Sequence, residues 1–178
     1  RGPRGVAVGG DGSFYVADSG NNRIQVFDDK GKHSRTIGSN GIGPGQFTNP
    51  CGIAVDAERR IYVADTGNHR IQVLDADGKH LLTIGSTPGD GLEQFRSPTS
   101  VAVDHRGRII VADQKNGRVL IFGPNGKFLD GRQGPRSGAL QRAAEAAALA
   151  PPEYNAVAVD QDGSMLVSDG KNNLVFVV

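Results

Sequence analysis

Four copies of one sequence pattern follow one another along the chain, and no other feature constrains its folding as strongly. FYVADSGNNRIQVF from Phe14 aligns with IYVADTGNHRIQVL from Ile61, IIVADQKNGRVLIF from Ile109 and MLVSDGKNNLVFVV from Met165. The shared aspartates, Asp18, Asp65, Asp113 and Asp169, fall at intervals of 47, 48 and 56 residues. Upstream of each lies a short apolar element: GVAV from Gly5, GIAVD from Gly52, SVAVD from Ser100 and AVAVD from Ala156. Downstream come DDKGK from Asp28, DADGK from Asp75 and GPNGK from Gly123. Units of this length bury their apolar faces by stacking on their neighbours, and here they cover nearly all of the 178 residues.

Each unit reads as four strands. The VAV segment is almost wholly apolar, as a strand covered on both faces requires. A polar turn leads to a second strand rich in Tyr, Val and Ile, then to a third carrying Ile24 and Val26, or their counterparts Ile71 and Val73, Val119 and Ile121. Lys30-Gly31 or Asn125-Gly126 then turns the chain into a fourth strand, such as His80 to Ile84, because glycine supplies the positive φ of a tight hairpin. With 26 glycines and 9 prolines, about one residue in five punctuates the backbone, too many for a bundle of long helices. Four antiparallel strands per unit at this period describe the blades of an all-β propeller. The expected blades span 1–38, 39–85, 86–131 and 154–178, in one propeller domain or part of one. Residues 132–153 read as an insertion with a short helix in SGALQRAAEAAALAPP, capped by Ser137, favoured by its alanines and stopped by Pro151.

The period also assigns faces. In a four-stranded meander, the second-to-third turn and the connection to the next unit open on one side. That side carries the SGNN, TGNH, QKNG and GKNN turns and the loops around GPGQFTNP and GLEQFRSP. Polar loops of varied sequence on a rigid scaffold are where ligand contacts usually sit. The candidate binding positions are therefore Ser19, Asn22, Thr66, His69, Gln114, Lys115, Gly117, Gly170 and Lys171. On the opposite side Lys30, Arg59, Arg60, Arg106 and Arg108 mix with Asp28, Glu58, Asp75 and Asp104, which reads as a neutralised, solvated face. Phe47 and Phe95, each three residues before a proline, read as plugs tucking a loop against the blades rather than as base-stacking platforms.

Residues that recur in every unit are expected to build blades, since an active site breaks symmetry. Asn21, Asn68, Asn116 and Asn172 share one turn position, where asparagine tolerates the left-handed conformation. Asp18, Asp65 and Asp113 are expected to accept hydrogen bonds from the turn backbone and to pair with Arg23, Arg70 and Arg118; Asp169 holds the same place in the fourth unit. The pattern V-A-D-x-x-N-x-R-(I/V), at Asp18 to Ile24, Asp65 to Ile71 and Asp113 to Val119, resembles the NHL repeat. Pro-x-Gly-(V/I)-Ala-Val at Pro3 and Pro50, and G-Q-F-x-x-P from Gly45, resemble it too, whereas the fourth unit departs with Leu174 in place of arginine. The resemblance implies a propeller of about six blades. It resembles the C-terminal NHL domain of tripartite-motif proteins, which implies a substrate- or RNA-recognition module or a protein scaffold. Any ubiquitin-ligase chemistry would then lie in RING-type zinc modules outside this chain.

Composition narrows the function classes. Twenty Lys and Arg against 19 Asp and Glu give a net charge of +1, so no overall field drives the chain onto nucleic acid. Cys51 is the single cysteine, which excludes an internal disulfide framework, and it reads as a small buried residue. His33 and His80 share a strand-edge position, His105 lies in a hairpin on the opposite side, and His69 has no carboxylate or second histidine at ligand spacing. There is no G-x-S-x-G elbow or G-x-x-x-x-G-K loop; GSNGIGPG from Gly38 lacks the lysine and helix that would cradle a phosphate. The expected function is a non-catalytic binding platform for a protein partner, with no catalytic residue, metal or cofactor. Single-stranded RNA binding is the alternative. A second is part of a metal-dependent propeller enzyme such as an amidating lyase or lactonase, which needs His, Asp or Glu projecting inward from several blades. No apolar run is long enough to span a bilayer as a helix, and a cytoplasmic or other intracellular soluble compartment is the expected setting. The last unit closes on a third strand and the first opens just before a first strand. The chain is therefore expected to be a fragment of a larger ring, with further blades from the same polypeptide or another chain.

Overall fold

The computed structural model describes residues 1–133, 153–160 and 162–177. Blade 1 is an antiparallel meander of β1 (Gly5–Val8), β2 (Phe14–Asp18), β3 (Arg23–Phe27) and β4 (His33–Ile37). The connection to blade 2 contains a short parallel pair, β5 (Ser39–Asn40) and β6 (Gln46–Phe47). Blade 2 consists of β7 (Ile53–Val55), β8 (Ile61–Asp65), β9 (Arg70–Leu74) and β10 (His80–Gly85). Blade 3 consists of β11 (Pro98–Val103), β12 (Ile109–Asp113), β13 (Arg118–Phe122) and β14 (Phe128–Gln133). In blade 4 the described residues form three strands, β15 (Tyr154–Val159), β16 (Met165–Asp169) and β17 (Leu174–Val177). The helix expected from Ser137 lies outside the described residues.

Alternation within each strand splits its side chains between two interfaces, and the blades stack accordingly. Tyr15, Ala17, Ile24 and Val26 of blade 1 pack on Ile53, Ile61, Val63 and Leu74 of blade 2. The other face of blade 2, with Tyr62, Ala64, Ile71 and Val73, packs on Val101, Ile109, Val111, Leu120 and Phe122 of blade 3. Blade 3 repeats the arrangement on blade 4 through Ile110, Val119, Ile121, Val157, Met165 and Val167. The first strands of successive blades adjoin one another, which places them at the inner edge of the stack. Phe47 and Phe95 are fully buried in these interfaces, as plugs should be. Each fills the space left by a glycine: a Cβ at Gly38 would stand 2.3 Å from the Phe47 ring, and one at Gly85 would stand 2.6 Å from that of Phe95.

The second-to-third turn is a single 3-10 turn in blades 1 to 3: Ser19–Asn21, Thr66–Asn68 and Gln114–Asn116. The left-handed residue lies one place later than the recurring asparagine. It is Asn22, His69, Gly117 and Asn173, with φ of 54°, 54°, 57° and 55°. The recurring asparagine closes the 3-10 turn instead, three residues after the aspartate, from where its side-chain amide reaches back to the carboxylate: Asn68 Nδ2 donates to Asp65 at 2.9 Å and Asn116 to Asp113 at 2.7 Å. Cross-strand register then sets Asp18 opposite Arg23, Asp65 opposite Arg70 and Asp113 opposite Arg118.

Candidate functional site

The aspartate and arginine of each turn pair as the repeat predicts, but their further partners belong to the preceding connection. Arg70 Nε donates to Asp65 Oδ2 at 2.7 Å, and Arg118 Nε to Asp113 Oδ2 at 2.8 Å. Both pairs are buried. The expected backbone donors from the turn itself are replaced in blades 2 and 3 by the amides of Thr48 and Arg96, 17 residues upstream of each aspartate, at 2.8 and 2.7 Å. In blade 4, Asp169 does accept from its own turn, through the amides of Lys171 and Asn172, and also from Glu153. The rest of the Arg70 guanidinium grips the loop between blades 1 and 2, donating to the carbonyls of Ile42, Gly43 and Gln46 at 2.6, 2.8 and 2.8 Å. Asn68 adds a bond to the Gly41 carbonyl, while Gln72 accepts from the Gly45 amide and donates to the Gln46 carbonyl. Arg118 repeats the grip on Asp90, Gly91 and Gln94, and Asn116 takes the Gly89 carbonyl.

These clamps hold two loops rigidly while their tips face outward. Ile42 is 80% exposed and Leu92 is 59% exposed. A planar guanidinium bonded to three carbonyls restrains the backbone of each loop, so both apolar side chains are presented with a reduced backbone ordering cost at binding. Arg96, Lys115 and Lys171, and likewise Asp90, Glu93 and Glu153, are exposed in the turns and connections that open on the same side of the meanders.

The turn positions with varied side chains are largely spent on joining blades. Ser19 and Thr66 are buried, and their hydroxyls donate to the carbonyls of Pro50 and Pro98 in the next blade. Asn22 Oδ1 accepts from the Asn49 amide at 2.7 Å, and His69 Nδ1 accepts from the Ser97 amide at 3.1 Å. Gly117 occupies the equivalent left-handed position without a side chain. Gln114 bonds Asn155 across the blade 3–4 boundary. Lys115, Gly170 and Lys171 are the exposed members of the set. The two hydroxyls at one repeat position, directly after aspartate, were a signal in the sequence for an inter-blade staple. Ile42 and Leu92 carried none, because they sit at different places in the shared Gly-x-Gly-x-x-Gln-Phe loop, the second and the fourth.

On the opposite side a depression of about 490 Å³ lies between blades 2 and 3, lined by Asp56, Glu58, Arg60, Asp104, His105 and Arg106 among others. Its buried carboxylates are internally satisfied. Asp56 accepts from the Arg60 amide at 2.8 Å, from Arg60 Nε at 2.6 Å and from the Tyr62 hydroxyl at 2.8 Å. Burial, reinforced by the Asp56 carboxylate, pushes the Tyr62 hydroxyl up from its usual range. Asp104 accepts from the amides of Arg106 and Arg108 and from Arg108 Nε. Burial opposes its ionisation, but these donors outweigh it and hold the carboxyl below the ordinary value. Among the described residues no group of three His, Cys, Asp or Glu side chains is placed to hold a metal ion.

Stacked antiparallel meanders, bonded across their boundaries by a repeated Asp–Asn–Arg turn, define a β-propeller. Residues 95–122 match the family model of the NHL repeat, and residues 8–88 match that of a 6-bladed beta-propeller. The chain has a β-propeller fold and carries an NHL repeat. No curated protein sequence matches it. Among solved structures it is similar to a streptogramin B lyase, at 15% identity and a TM-score of 0.69, covering 99% of this chain and 51% of the other. It is likewise similar to a chain of a nidogen/laminin complex, at 20% identity and a TM-score of 0.72, covering 99% and 59%. Hydrazine synthase of Kuenenia stuttgartiensis gives 12% identity and a TM-score of 0.67, covering 99% and 49%. At such identities the likeness is one of fold, and the chain spans between about half and three-fifths of each of these proteins.

Proposed function

We propose that this chain is a non-catalytic protein-recognition platform whose partner meets the face bearing the arginine-clamped loops. The observation that carries the reading is the pairing of rigid backbone with exposed apolar tips at Ile42 and Leu92. Exposed apolar side chains on a pre-organised loop suit a protein partner with apolar pockets. A strand of nucleic acid would call for a basic groove with stacking aromatics. Here the cations of the face are matched by Asp90, Glu93 and Glu153, and Phe47 and Phe95 are buried. A substrate-recognition or scaffold module, including one serving a RING-type ubiquitin ligase, is the form such a platform takes in the proteins that the sequence resembles. The likeness to a chain of the nidogen/laminin complex accords with a binding role.

The test is quantitative affinity capture with the Ile42→Asp/Leu92→Asp double variant beside the unaltered protein. Both tips are exposed, so the melting temperature stays within about 1 °C. A partner protein retained by the parent and lost from the variant supports the reading. An unchanged set of captured proteins, or retention that nuclease abolishes, overturns it.

A further inference from the structure

Blade 1 carries the same gripping side chains as blade 2. Asp18, Asn21, Arg23 and Gln25 stand where Asp65, Asn68, Arg70 and Gln72 stand one repeat later. In blade 2 this set holds a Gly-x-Gly-x-x-Gln-Phe loop, from Gly41 to Phe47, by six bonds from three side chains: Asn68 to Gly41, Arg70 to Ile42, Gly43 and Gln46, and Gln72 to Gly45 and Gln46, with Asp65 accepting from Asn68 behind them. Blade 3 holds Gly89 to Phe95 through Asn116 and Arg118 in the same manner.

In blade 1 the set is assembled but faces outward. Arg23 Nε donates to Asp18 at 2.8 Å and Asn21 Nδ2 to the same carboxylate at 3.0 Å, yet the Arg23 side chain is 38% exposed against 8% for Arg70. The flanking backbone already follows the path seen in blade 2. The Gly20 amide donates to the Arg1 carbonyl at 2.8 Å as that of Gly67 does to Thr48 at 2.9 Å, and the Arg1 nitrogen meets Asp18 as the Thr48 amide meets Asp65. The adjoining sheet face is apolar and exposed as well: Val6 is 65% exposed where its counterpart Ile53 is 7% exposed. The full set is particular to blades 1 and 2: blade 3 keeps the aspartate, asparagine and arginine but has Leu120 at the glutamine position, and blade 4 has Leu174 and Phe176 at the arginine and glutamine positions.

We infer that Asp18, Asn21, Arg23 and Gln25 form a receptor for a Gly-x-Gly-x-x-Gln-Phe connection presented by a further blade of the same repeat type. The receptor reads backbone carbonyls held in a tight glycine-rich turn, with the phenylalanine buried beside it, and so recognises the connection by its shape and its glycines. It continues an interface already built twice in this chain.

The test joins a second copy of the ten residues Gly38–Phe47 directly ahead of Arg1, in the register that Phe47 has to Thr48, with and without Arg23→Ala. The extension is expected to raise the melting temperature by about 4 °C with Arg23 present and by less than about 1 °C without it. A second readout is independent of stability: phenylglyoxal labelling of Arg23, followed by mass spectrometry, is expected to fall at least about fivefold in the extended protein, as the guanidinium is covered. An equal rise in both backgrounds, no rise in either, or undiminished labelling of Arg23 overturns the inference.

Discussion

Arg23 and Arg70 occupy one position of the repeat, and the difference between them lies in what surrounds the guanidinium. Arg70 and its partner Asp65 are buried, and removing one member leaves a charge without compensation in the interior. Arg70→Ala is therefore expected to cost about 3–5 kcal/mol. Arg70→Lys recovers little, because an ammonium cannot reach a carboxylate and three carbonyls in one plane. Arg23→Ala, at a more exposed pair, is expected to cost less than about 1 kcal/mol. Midpoints of denaturant unfolding for the three variants check this ordering. His69 poses a second residue-scale question, since it combines a left-handed backbone with an acceptor role toward the Ser97 amide. Blade 1 solves the same problem with Asn22. His69→Asn should accordingly stay within about 0.5 kcal/mol of the parent, while His69→Ala loses about 1–2 kcal/mol by leaving the amide unpaired. Thermal melts of the pair decide it, and equal losses in both would refute the acceptor role.

At the scale of a single hairpin, Asp104 links the β11–β12 turn to pH. Its carboxyl is held below the ordinary value, so the folded chain binds that proton more weakly than the unfolded chain. The contribution is complete above the unfolded value of about 3.9 and is lost as pH falls through the lower folded value. Asp104→Asn keeps an acceptor for the amides but has no such titration, and its stability should fall less steeply than the parent's between about pH 4 and pH 2. Denaturant unfolding at a series of pH values measures the two slopes; parallel acid limbs would count against the assignment. The hairpins, the Asp–Arg pairing and the phenylalanine plugs were legible in the sequence because each repeats at a fixed spacing and rests on side chains. What the aspartates accept was not legible, since the donors are backbone amides of Thr48 and Arg96, which no residue type marks. The left-handed position was misplaced by one residue for a related reason: its occupants Asn22, His69, Gly117 and Asn173 vary, and variation reads as specificity when nothing shows the backbone angle. The exposed loop tips stayed hidden because exposure depends on the clamp from the next blade, a contact across 27 or 28 residues.

For the molecule as a whole, the packed clusters among the described residues each join two successive blades, so stability is set by the interfaces that flank each unit. Blades 2 and 3 have a packed cluster on both faces, and each holds an incoming loop through a buried arginine. Blade 4 packs on blade 3 alone among the described residues, and it carries Leu174 where the clamp would be. Its other face leaves Val175 and Val177 each 66% exposed, whereas their blade 3 counterparts Val119 and Ile121 are 5% exposed. Opening of blade 4 therefore sacrifices one interface and no arginine clamp, while opening of blade 2 sacrifices two interfaces and a buried ion pair. Native-state hydrogen exchange should show this gradient. Amides of β16 and β17 are expected to exchange at least about tenfold faster than those of β8, β9, β12 and β13, a difference of about 1.4 kcal/mol in opening free energy. Uniform protection across all four blades would mean that the stack opens as one unit and that the missing arginine clamp is without energetic consequence.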